Sequence, residues 1–277
     1  MNVLELNTVV GFGDLIFIKA QLDNVKDRFN EIRISYDLNV IRIYRNSNPE
    51  YLKFLNEIGE LFFREYPYKL NIGQYLRQWP SDLFKNHNIP MIMPKLQHLL
   101  CKGLLLNLDK EYIVLTTKIR YINKDYFLKI IDRAQYWHII RQLSEKYKIV
   151  VMGERIIEMN KEYSLHGEKA VYSIYNDIIN NIPADRILDL TIPALGITGP
   201  DLKQIQQDCL IVSEAKFVIS FGIGGNLQMS VAVANTINYR HGEYLDTDML
   251  YGYNKIYDNS ITTKDFNQFL NKLKSYI

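Results

Sequence analysis

The chain has 277 residues, of which 47% are hydrophobic, and its formal net charge is +2. This length allows one large domain or two domains of roughly 120–150 residues each. The near-neutral charge gives no global sign of nucleic-acid binding, and no apolar run approaches the ~18–20 residues of a membrane span. The first residues lack the pattern of a signal peptide. We therefore expect a cytoplasmic protein that has no nucleic-acid partner.

Metal and disulfide chemistry have little support in the sequence. Cys101 and Cys209 are the only cysteines, and we expect two buried thiols in a reducing compartment rather than one disulfide. Two cysteines cannot form a cysteine-based zinc site, and the five histidines show no close metal-ligand spacing. Residues 246–248 read Asp-Thr-Asp, but they lie in a tyrosine- and glycine-rich stretch. The sequence therefore predicts neither a metal nor a cofactor.

The chain begins with the pattern of a strand, a glycine loop and a helix. An apolar run at residues 3–6 precedes Gly11 and Gly13, and a helical apolar pattern follows them. Two glycines let the backbone approach a ligand, and the first turn of a helix presents unpaired N–H groups. Asp14 stands between loop and helix, where it can cap the helix or act as a general base. Ile16 replaces the third glycine of G-x-G-x-x-G, so a standard NAD or FAD site is disfavoured.

The rest of the first half continues the alternation of strands and helices. Apolar runs predict strands at residues 32–36 and 40–44. Apolar residues recur at helical spacing over residues 49–63, which predicts a helix. Residues 67–94 are interrupted by prolines, and we expect an irregular connecting segment there.

The second half starts a new series of strands and helices. Strands are predicted at residues 112–117, 148–152, 187–190 and 217–220, and helices at residues 124–147, 202–215, 226–234 and 265–276. Residues 222–225 form a second glycine-rich loop before one of these helices. Such alternation favours parallel sheets with helices on both faces. We therefore predict an α/β fold with two Rossmann-like domains, residues 1–108 and 109–277, and a ligand cleft between them.

Several short motifs, taken in order, carry a resemblance to a known family. Residues 1–36 show a strand, G-x-G-D, a helix with L-x-x-V-K-x-x-F, and a strand. Residues 150–154 read V-V-M-G-E, residues 189–191 read D-L-T, and residues 211–219 read I-V-S-E-A-K-F-V-I. These segments resemble the heptosyltransferases that use ADP-heptose and lipopolysaccharide, which are GT-B glycosyltransferases. The resemblance covers most of the chain except residues 40–110 and implies a GT-B architecture with two Rossmann-like domains.

The resemblance also implies a reaction. A sugar would move from a nucleotide-diphosphate donor to a glycan or lipid-linked acceptor, with inversion in a single displacement. Asp14 is the candidate catalytic base. Lys118 and Arg120 would neutralise the departing diphosphate, together with N–H groups at the helix that follows the second glycine loop.

The candidate binding residues divide into two sets. The donor-binding set is Lys118, Arg120, Gly153, Glu154, Arg155, Gly222, Gly224, Gly225 and Asn226. Within it, Glu154 and Arg155, with Glu158 beyond them, are expected to contact the base or the ribose. The acceptor-binding set is Gly11, Gly13, Arg240 and His241.

The sequence departs from the family at one motif. Gly222 stands where the family has the aspartate of D-T-G-x-x-H, and Leu227 stands where it has the histidine. The identity of the sugar therefore does not carry over, and the interpretation is a GT-B-like glycosyltransferase. Two alternatives stay open: an epimerase or pyruvyl-type transferase on the same architecture, and a non-catalytic nucleotide-sugar-binding protein. A kinase is disfavoured because G-x-x-x-x-G-K-[ST] is absent from the sequence.

Each candidate residue also has a purely structural explanation. Asp14 can cap the helix without any catalytic role. Lys118 and Arg120 can form a solvated strand edge without binding phosphate. Glu154 and Arg155 can form a surface ion pair without contacting a ligand. The nucleotide base, the sugar, the acceptor, the oligomeric state and a peripheral membrane contact stay open at this stage.

Overall fold

The computed structural model describes residues 3–8, 15–16, 18–19, 22, 26–37, 49–71, 101, 111–121, 134–155, 170–192, 202–221, 229–231, 233–239 and 259–277. The strands are β1 (Val3–Thr8), β2 (Glu31–Asp37), β3 (Tyr68–Asn71), β4 (Tyr112–Thr116), β5 (Lys118–Tyr121), β6 (Lys148–Met152), β7 (Ala170–Ser173), β8 (Ile187–Asp189), β9 (Val218–Phe221), β10 (Thr236–Tyr239) and β11 (Ile261–Thr263). The helices are α1 (Pro49–Phe63), α2 (Ala134–Lys146), α3 (Tyr175–Asn181), α4 (Leu202–Glu214) and α5 (Phe266–Lys274). Short 3-10 helices occupy Lys26–Arg28 and Ala184–Arg186.

The first sheet is parallel and, in the described part of the chain, has the order β1-β2-β3. Its first two strands and helix α1 confirm the predicted elements, and residues 15, 16, 18, 19 and 22 are helical as expected. Strand β3 corrects the prediction of an irregular segment over residues 67–94. It pairs with β2 at the sheet edge, and the N–H of Ile34 donates to the carbonyl of Pro67. Proline is tolerated at the start of an edge strand because no ladder donor is needed there.

The second sheet is also parallel, with the order β11-β10-β9-β4-β6-β8 among the described strands. The chain enters at β4 in the middle and moves outward through β6 to β8. It then returns to the other side of β4 and continues outward through β9 and β10 to β11. This is a doubly wound sheet whose order reverses between β4 and β9. The prediction of an α/β fold with parallel sheets is confirmed.

Both faces of the second sheet are buried. Tyr112 and Val114 of β4 belong to one core cluster, which includes residues of α4. Ile113 and Leu115 belong to a second cluster, which includes residues of α2, α3 and α5. Alternate residues of a strand point to opposite faces, so helices cover the sheet on both sides. This explains the nearly continuous apolar runs of β4 and β6.

The first core cluster also joins the two sheets. It contains Leu4 and Ile34 from the first sheet, Phe54 from α1 and Cys209 from α4. Cys101 packs against the same cluster. Both cysteines are free thiols, as expected, but only Cys209 is buried, whereas Cys101 is half-buried. Burial raises the pKa of each thiol.

The predicted strands and helices of the second half are confirmed where the structure describes them. Four strands and one helix of the second half were not predicted: β5 and β7, which form an antiparallel two-stranded sheet, β10, β11, and helix α3. None of the helices within the described residues is both long enough and apolar enough to cross a membrane.

Candidate functional site

The candidate donor residues follow strands that end side by side. Lys118 and Arg120 come after β4, Gly153 comes directly after β6, and Gly222 comes directly after β9. These three strands are neighbours in the order β9-β4-β6, and the order of the sheet reverses between β9 and β4. In open parallel sheets, ligands bind outside the carboxyl ends of the strands at such a reversal. This edge of the second sheet is the candidate functional site.

Thr117 joins the carboxyl ends of β4 and β6 at the candidate site. Its N–H donates to the carbonyl of Met152 at 2.9 Å, and its hydroxyl donates to the carbonyl of Glu154 at 2.8 Å. Its own carbonyl accepts the N–H of Ile174 at 2.9 Å. The residue is fully buried, so these bonds are shielded from water. Thr117 therefore fixes the backbone at the rim of the site.

Gly153 has a backbone conformation that favours glycine. Its φ angle is +113°, and a Cβ atom there would lie 2.5 Å from the hydroxyl oxygen of Thr117. The backbone that follows β6 pairs with the backbone that follows β8. The N–H of Ile192 donates to the Gly153 carbonyl, and the N–H of Arg155 donates to the Ile192 carbonyl, each at 2.9 Å. The glycine thus has a packing role that the sequence did not reveal, and its predicted role in donor binding stays a prediction.

Glu154 lies next to Gly153 and is buried, with 8% exposure. Its carbonyl accepts hydrogen bonds from the hydroxyls of Thr117 and Ser173, at 2.8 and 2.7 Å. Burial argues against the exposed ion pair with Arg155 that the sequence left open. The proposed contact of Glu154 with a base or ribose stays a prediction.

Arg155 lies at the centre of a polar group that we call the Arg155 cluster: Arg155, Tyr175, Asp189 and Thr191. The guanidinium Nε donates to the Thr191 hydroxyl oxygen at 2.7 Å, and Nη2 donates to Asp189 Oδ2 at 3.0 Å. The guanidinium carbon lies 5.3 Å from the centre of the Tyr175 ring, which is cation–π distance. The Tyr175 hydroxyl donates to Asp189 Oδ2 at 2.8 Å. The cluster joins the ends of β6 and β8 to the start of α3.

Asp189 is the acceptor that holds the cluster together. Its Oδ1 accepts the N–H of Thr191 at 2.9 Å and also the hydroxyl of Thr191. Burial by itself raises the pKa of Asp189, but the hydrogen bonds from Thr191 and Tyr175 and the charge of Arg155 outweigh it and lower the pKa. The hydrogen bond to Asp189 raises the pKa of Tyr175. At neutral pH the cluster therefore contains one carboxylate, one guanidinium and one neutral phenol.

Lys118 and Arg120 lie in β5, a strand that the sequence analysis did not predict. A single residue, Thr117, separates the end of β4 from the start of β5, and β5 pairs antiparallel with β7. Lys118 is opposite Ser173, and Arg120 is opposite Val171. Hydrogen bonds to β7 therefore hold the backbone of both basic residues beside the site.

Many of the remaining candidates lie outside the described residues: Gly11, Gly13, Asp14, Glu158, Gly222, Gly224, Gly225, Asn226, Arg240, His241 and residues 246–248. Their roles stay predictions. The structure does describe the strands that precede them. β1 precedes the first glycines, β9 ends at Phe221, and β10 ends at Tyr239. Residues 229–231 and 233 are helical, in agreement with the helix predicted over residues 226–234.

Tyr175 and Ser173 were not singled out from the sequence, and Asp189 and Thr191 were noted only as part of D-L-T. The Asp-x-Thr spacing is a usable signal, because an aspartate often accepts the N–H of the second residue after it. The residues next to Tyr175 in the sequence do not mark it, since its partners, Arg155 and Asp189, come from the ends of β6 and β8.

Metal ligands and cavities are the other features that could mark a site. No group of three histidine, cysteine, aspartate or glutamate side chains among the described residues is close enough to hold a metal ion. A cavity of about 350 Å³ lies at the opposite end of the sheet, where β6 and β8 begin. Its lining residues are Arg141, Ser144, Glu145, Pro183, Asp185 and Arg186. It is therefore separate from the edge that carries the candidate residues.

No protein-family model matches the sequence, and no curated protein is significantly similar to it in sequence. Solved structures do match the fold. The dodecameric iron-containing heptosyltransferase TibC, in complex with ADP-D-beta-D-heptose, is similar over 99% of this chain and 77% of its own, with a TM-score of 0.50 and 11% identity. E. coli heptosyltransferase WaaC with ADP matches over 100% of both chains, with a TM-score of 0.49 and 11% identity. E. coli ADP-heptose lps heptosyltransferase II matches over 100% of this chain and 98% of its own, with a TM-score of 0.48 and 10% identity.

The resemblance inferred from the short motifs and the structural similarity to TibC point to the same group of proteins. At 11% identity, similarity of structure is evidence about the fold. The chain has an α/β fold like that of a heptosyltransferase of known structure.

Proposed function

We propose that the protein is a glycosyltransferase that moves a sugar from a nucleotide-diphosphate donor to a glycan or lipid-linked acceptor. The observation that carries the proposal is the order of the second sheet. It reverses between β4 and β9, and the donor candidates of the sequence follow β9, β4 and β6. The fold shared with TibC, which was solved with ADP-D-beta-D-heptose, supports a nucleotide sugar as the ligand.

The donor side would stabilise the leaving group. As the bond between the anomeric carbon and the diphosphate oxygen breaks, negative charge develops on the diphosphate. Lys118 and Arg120 are the proposed cations that neutralise this charge. N–H groups of residues 222–226, before the helical residues 229–231, are proposed as further donors. With these groups, the reaction as we propose it needs no metal.

The acceptor side would supply the base. Asp14 follows β1 and directly precedes the helical residues 15 and 16. We assign it the removal of the proton from the acceptor hydroxyl, whose oxygen attacks the anomeric carbon as the diphosphate leaves. A single displacement of this kind inverts the configuration at that carbon. The two halves, residues 1–108 and 109–277, would form the two walls of the cleft.

Two assays test the proposal. The first follows a panel of nucleotide sugars with the wild-type chain and with Asp14→Asn, and it measures donor affinity and turnover separately. We expect Asp14→Asn to keep donor affinity and to lose turnover by about 10²–10⁴-fold, the usual contribution of a positioned base. Asp27→Asn, at an exposed position of the 3-10 helix, is the matched control and should keep both.

The second assay identifies the products. A glycosyltransferase releases a nucleoside diphosphate and extends an acceptor. A donor that changes configuration without any acceptor would instead support an epimerase. Donor binding without turnover by the wild-type chain on any acceptor would support a non-catalytic binding protein, in agreement with Gly222 and Leu227 at the family's aspartate and histidine positions.

A further inference from the structure

We propose that the guanidinium of Arg155, oriented by Asp189, Thr191 and Tyr175, is the surface on which the base of the donor nucleotide stacks. This inference rests on the proposed function, because it assigns one part of the same donor site. It names a subsite for the base and three positioning residues that hold it.

The position of the Arg155 cluster suits a base rather than a phosphate. Neighbouring strands are about 4.8 Å apart, so the end of β8 lies about 10 Å from the end of β4. A nucleotide whose diphosphate lies at the reversal between β4 and β9 extends along the strand ends. If the nucleotide extends from β4 toward β8, its base passes over the end of β6. Arg155, Asp189 and Thr191 all lie at these two strand ends.

The charge balance supports the same assignment. The Arg155 guanidinium already has a carboxylate partner in Asp189, at 3.0 Å. The pair is close to neutral, so it attracts a diphosphate less than Lys118 and Arg120 would. A neutral base loses little in contacting such a pair, and it gains from the planar surface. The cluster is therefore better suited to stacking than to neutralising charge.

The Arg155 side chain is only partly enclosed. The guanidinium is held through Nε and Nη2, and the Tyr175 ring lies 5.3 Å away. Even so, 42% of the Arg155 side chain is exposed, against 26% for Asp189. Guanidinium planes stack on aromatic rings, and nucleic-acid bases stack on guanidinium planes. A base on the exposed part would extend the contact that Arg155 makes with Tyr175.

The experiment measures binding by calorimetry on the full chain. The probes are ADP, GDP, UDP and inorganic pyrophosphate, which has the phosphates but no base. For the nucleotide that wild type binds most tightly, Arg155→Ala should weaken binding about tenfold, the size expected when one stacked base loses its platform. Affinity for pyrophosphate should not change. Arg155→Lys should show the same loss, because an ammonium keeps the charge but not the plane.

Two more variants separate positioning from direct contact. Asp189→Asn should weaken nucleotide binding less than Arg155→Ala, since it loosens the guanidinium without removing it. Arg186→Ala is the matched control, because Arg186 is also an exposed arginine near an aspartate, Asp185, at 3.6 Å, but lies at the other end of the sheet. It should bind every probe as wild type does. Thermal melting of each variant confirms that it is folded.

The possible outcomes are distinct. If wild type binds a nucleotide and both Arg155 variants bind it equally well, the stacking assignment is wrong and the proposed function is unaffected. If Arg155→Ala weakens pyrophosphate as much as the nucleotide, Arg155 contacts phosphate and the assignment is again wrong. If wild type binds none of the nucleotides, the proposed function fails, and the subsite fails with it.

Discussion

The α-carbon of Gly153 faces the side chain of Thr117 so closely that a Cβ atom would lie 2.5 Å from the threonine hydroxyl oxygen. The two residues sit where β6 and β4 end, and β4 itself borders the reversal of the sheet. Thr117 uses the same hydroxyl to reach the carbonyl of Glu154 at 2.8 Å. The missing side chain of Gly153 therefore leaves room for the Thr117 hydroxyl, whose hydrogen bond to Glu154 joins the ends of β4 and β6.

The first prediction concerns this contact. Gly153→Ala should lower the free energy of unfolding by about 1–3 kcal/mol, because it combines a positive φ with a steric clash. Urea unfolding followed by circular dichroism measures the change. The double variant Gly153→Ala with Thr117→Ala removes the clash but keeps the unfavourable φ, so its cost should be less than the sum of the two single variants. Full additivity would show that the two residues do not constrain each other.

The second prediction concerns the pH dependence of the Arg155 cluster. The pKa of Asp189 is lowered in the folded chain from its ordinary value of 3.8. The ionised carboxylate therefore stabilises the fold above about pH 4, and this stabilisation is lost as the pH falls through the lowered pKa. Asp189→Asn should cost about 1.5–3 kcal/mol at pH 7, the range of a hydrogen bond to a charged group. The difference from wild type should shrink at pH 3, and a difference independent of pH would show that the charge of Asp189 is not its cause.

The third prediction has the opposite sign. Burial raises the pKa of Asp208 on α4 from 3.8 to about 6, although a hydrogen bond from Gln204 at 2.8 Å acts against the rise. Ionising this group costs stability as the pH rises from about 4 to 6. Asp208→Asn should therefore stabilise the chain at pH 7.5 by up to about 2 kcal/mol, since one pKa unit is about 1.4 kcal/mol and nearby water screens part of it.

Melting temperatures at pH 4 and pH 7.5 check the Asp208 prediction. The gain should be present at the higher pH and small at the lower one. Asp185→Asn is the control, because the Asp185 side chain is 78% exposed. A gain of equal size for both variants would mean that general surface charge, and not burial of Asp208, is responsible.

The fourth prediction concerns the last helix. Asp265 caps α5, and its side chain accepts the N–H groups of Asn267 and Gln268 at 2.8 and 3.3 Å. Asp265→Ala should cost about 1 kcal/mol, whereas Asp265→Ser should keep most of the stability because serine is also a good cap. Equal losses for both variants, measured by thermal unfolding, would show that the cap does not support the helix.

The sequence predicted the elements whose apolar residues form a regular pattern. Strands β4 and β6 are buried on both faces, so their apolar runs stand out. Helix α1 shows apolar residues at helical spacing, and both of its ends were predicted. Strand β10 was missed because Thr236 and Asn238 make it look like a loop, yet both are fully buried. The Thr236 hydroxyl donates to the Ala234 carbonyl, and the Ser220 hydroxyl donates to Asn238 Oδ1.

The sequence indicated that the candidate residues follow the ends of strands, but it did not indicate their contacts. Strands that end before basic or glycine residues indicated the carboxyl edge of a sheet. The ion pair of Arg155 with Asp189 depends on the pairing of β6 with β8, in which Val151 is opposite Asp189. Sequence periodicity does not specify which strands pair or in which register. For the same reason Tyr175 could not be assigned to the cluster.

The central claim is that the chain binds a nucleotide-diphosphate sugar at the carboxyl edge of its second sheet. The most direct test is thermal unfolding of the wild-type chain with UDP, GDP, ADP, CMP and their sugar conjugates, each with and without Mg²⁺ or Mn²⁺. A ligand at a hundredfold excess over its dissociation constant stabilises the fold by about 2.7 kcal/mol. We expect one nucleoside diphosphate and its sugar conjugate to raise the melting temperature, to the same extent with and without the metal. No shift with any of these ligands would contradict the claim.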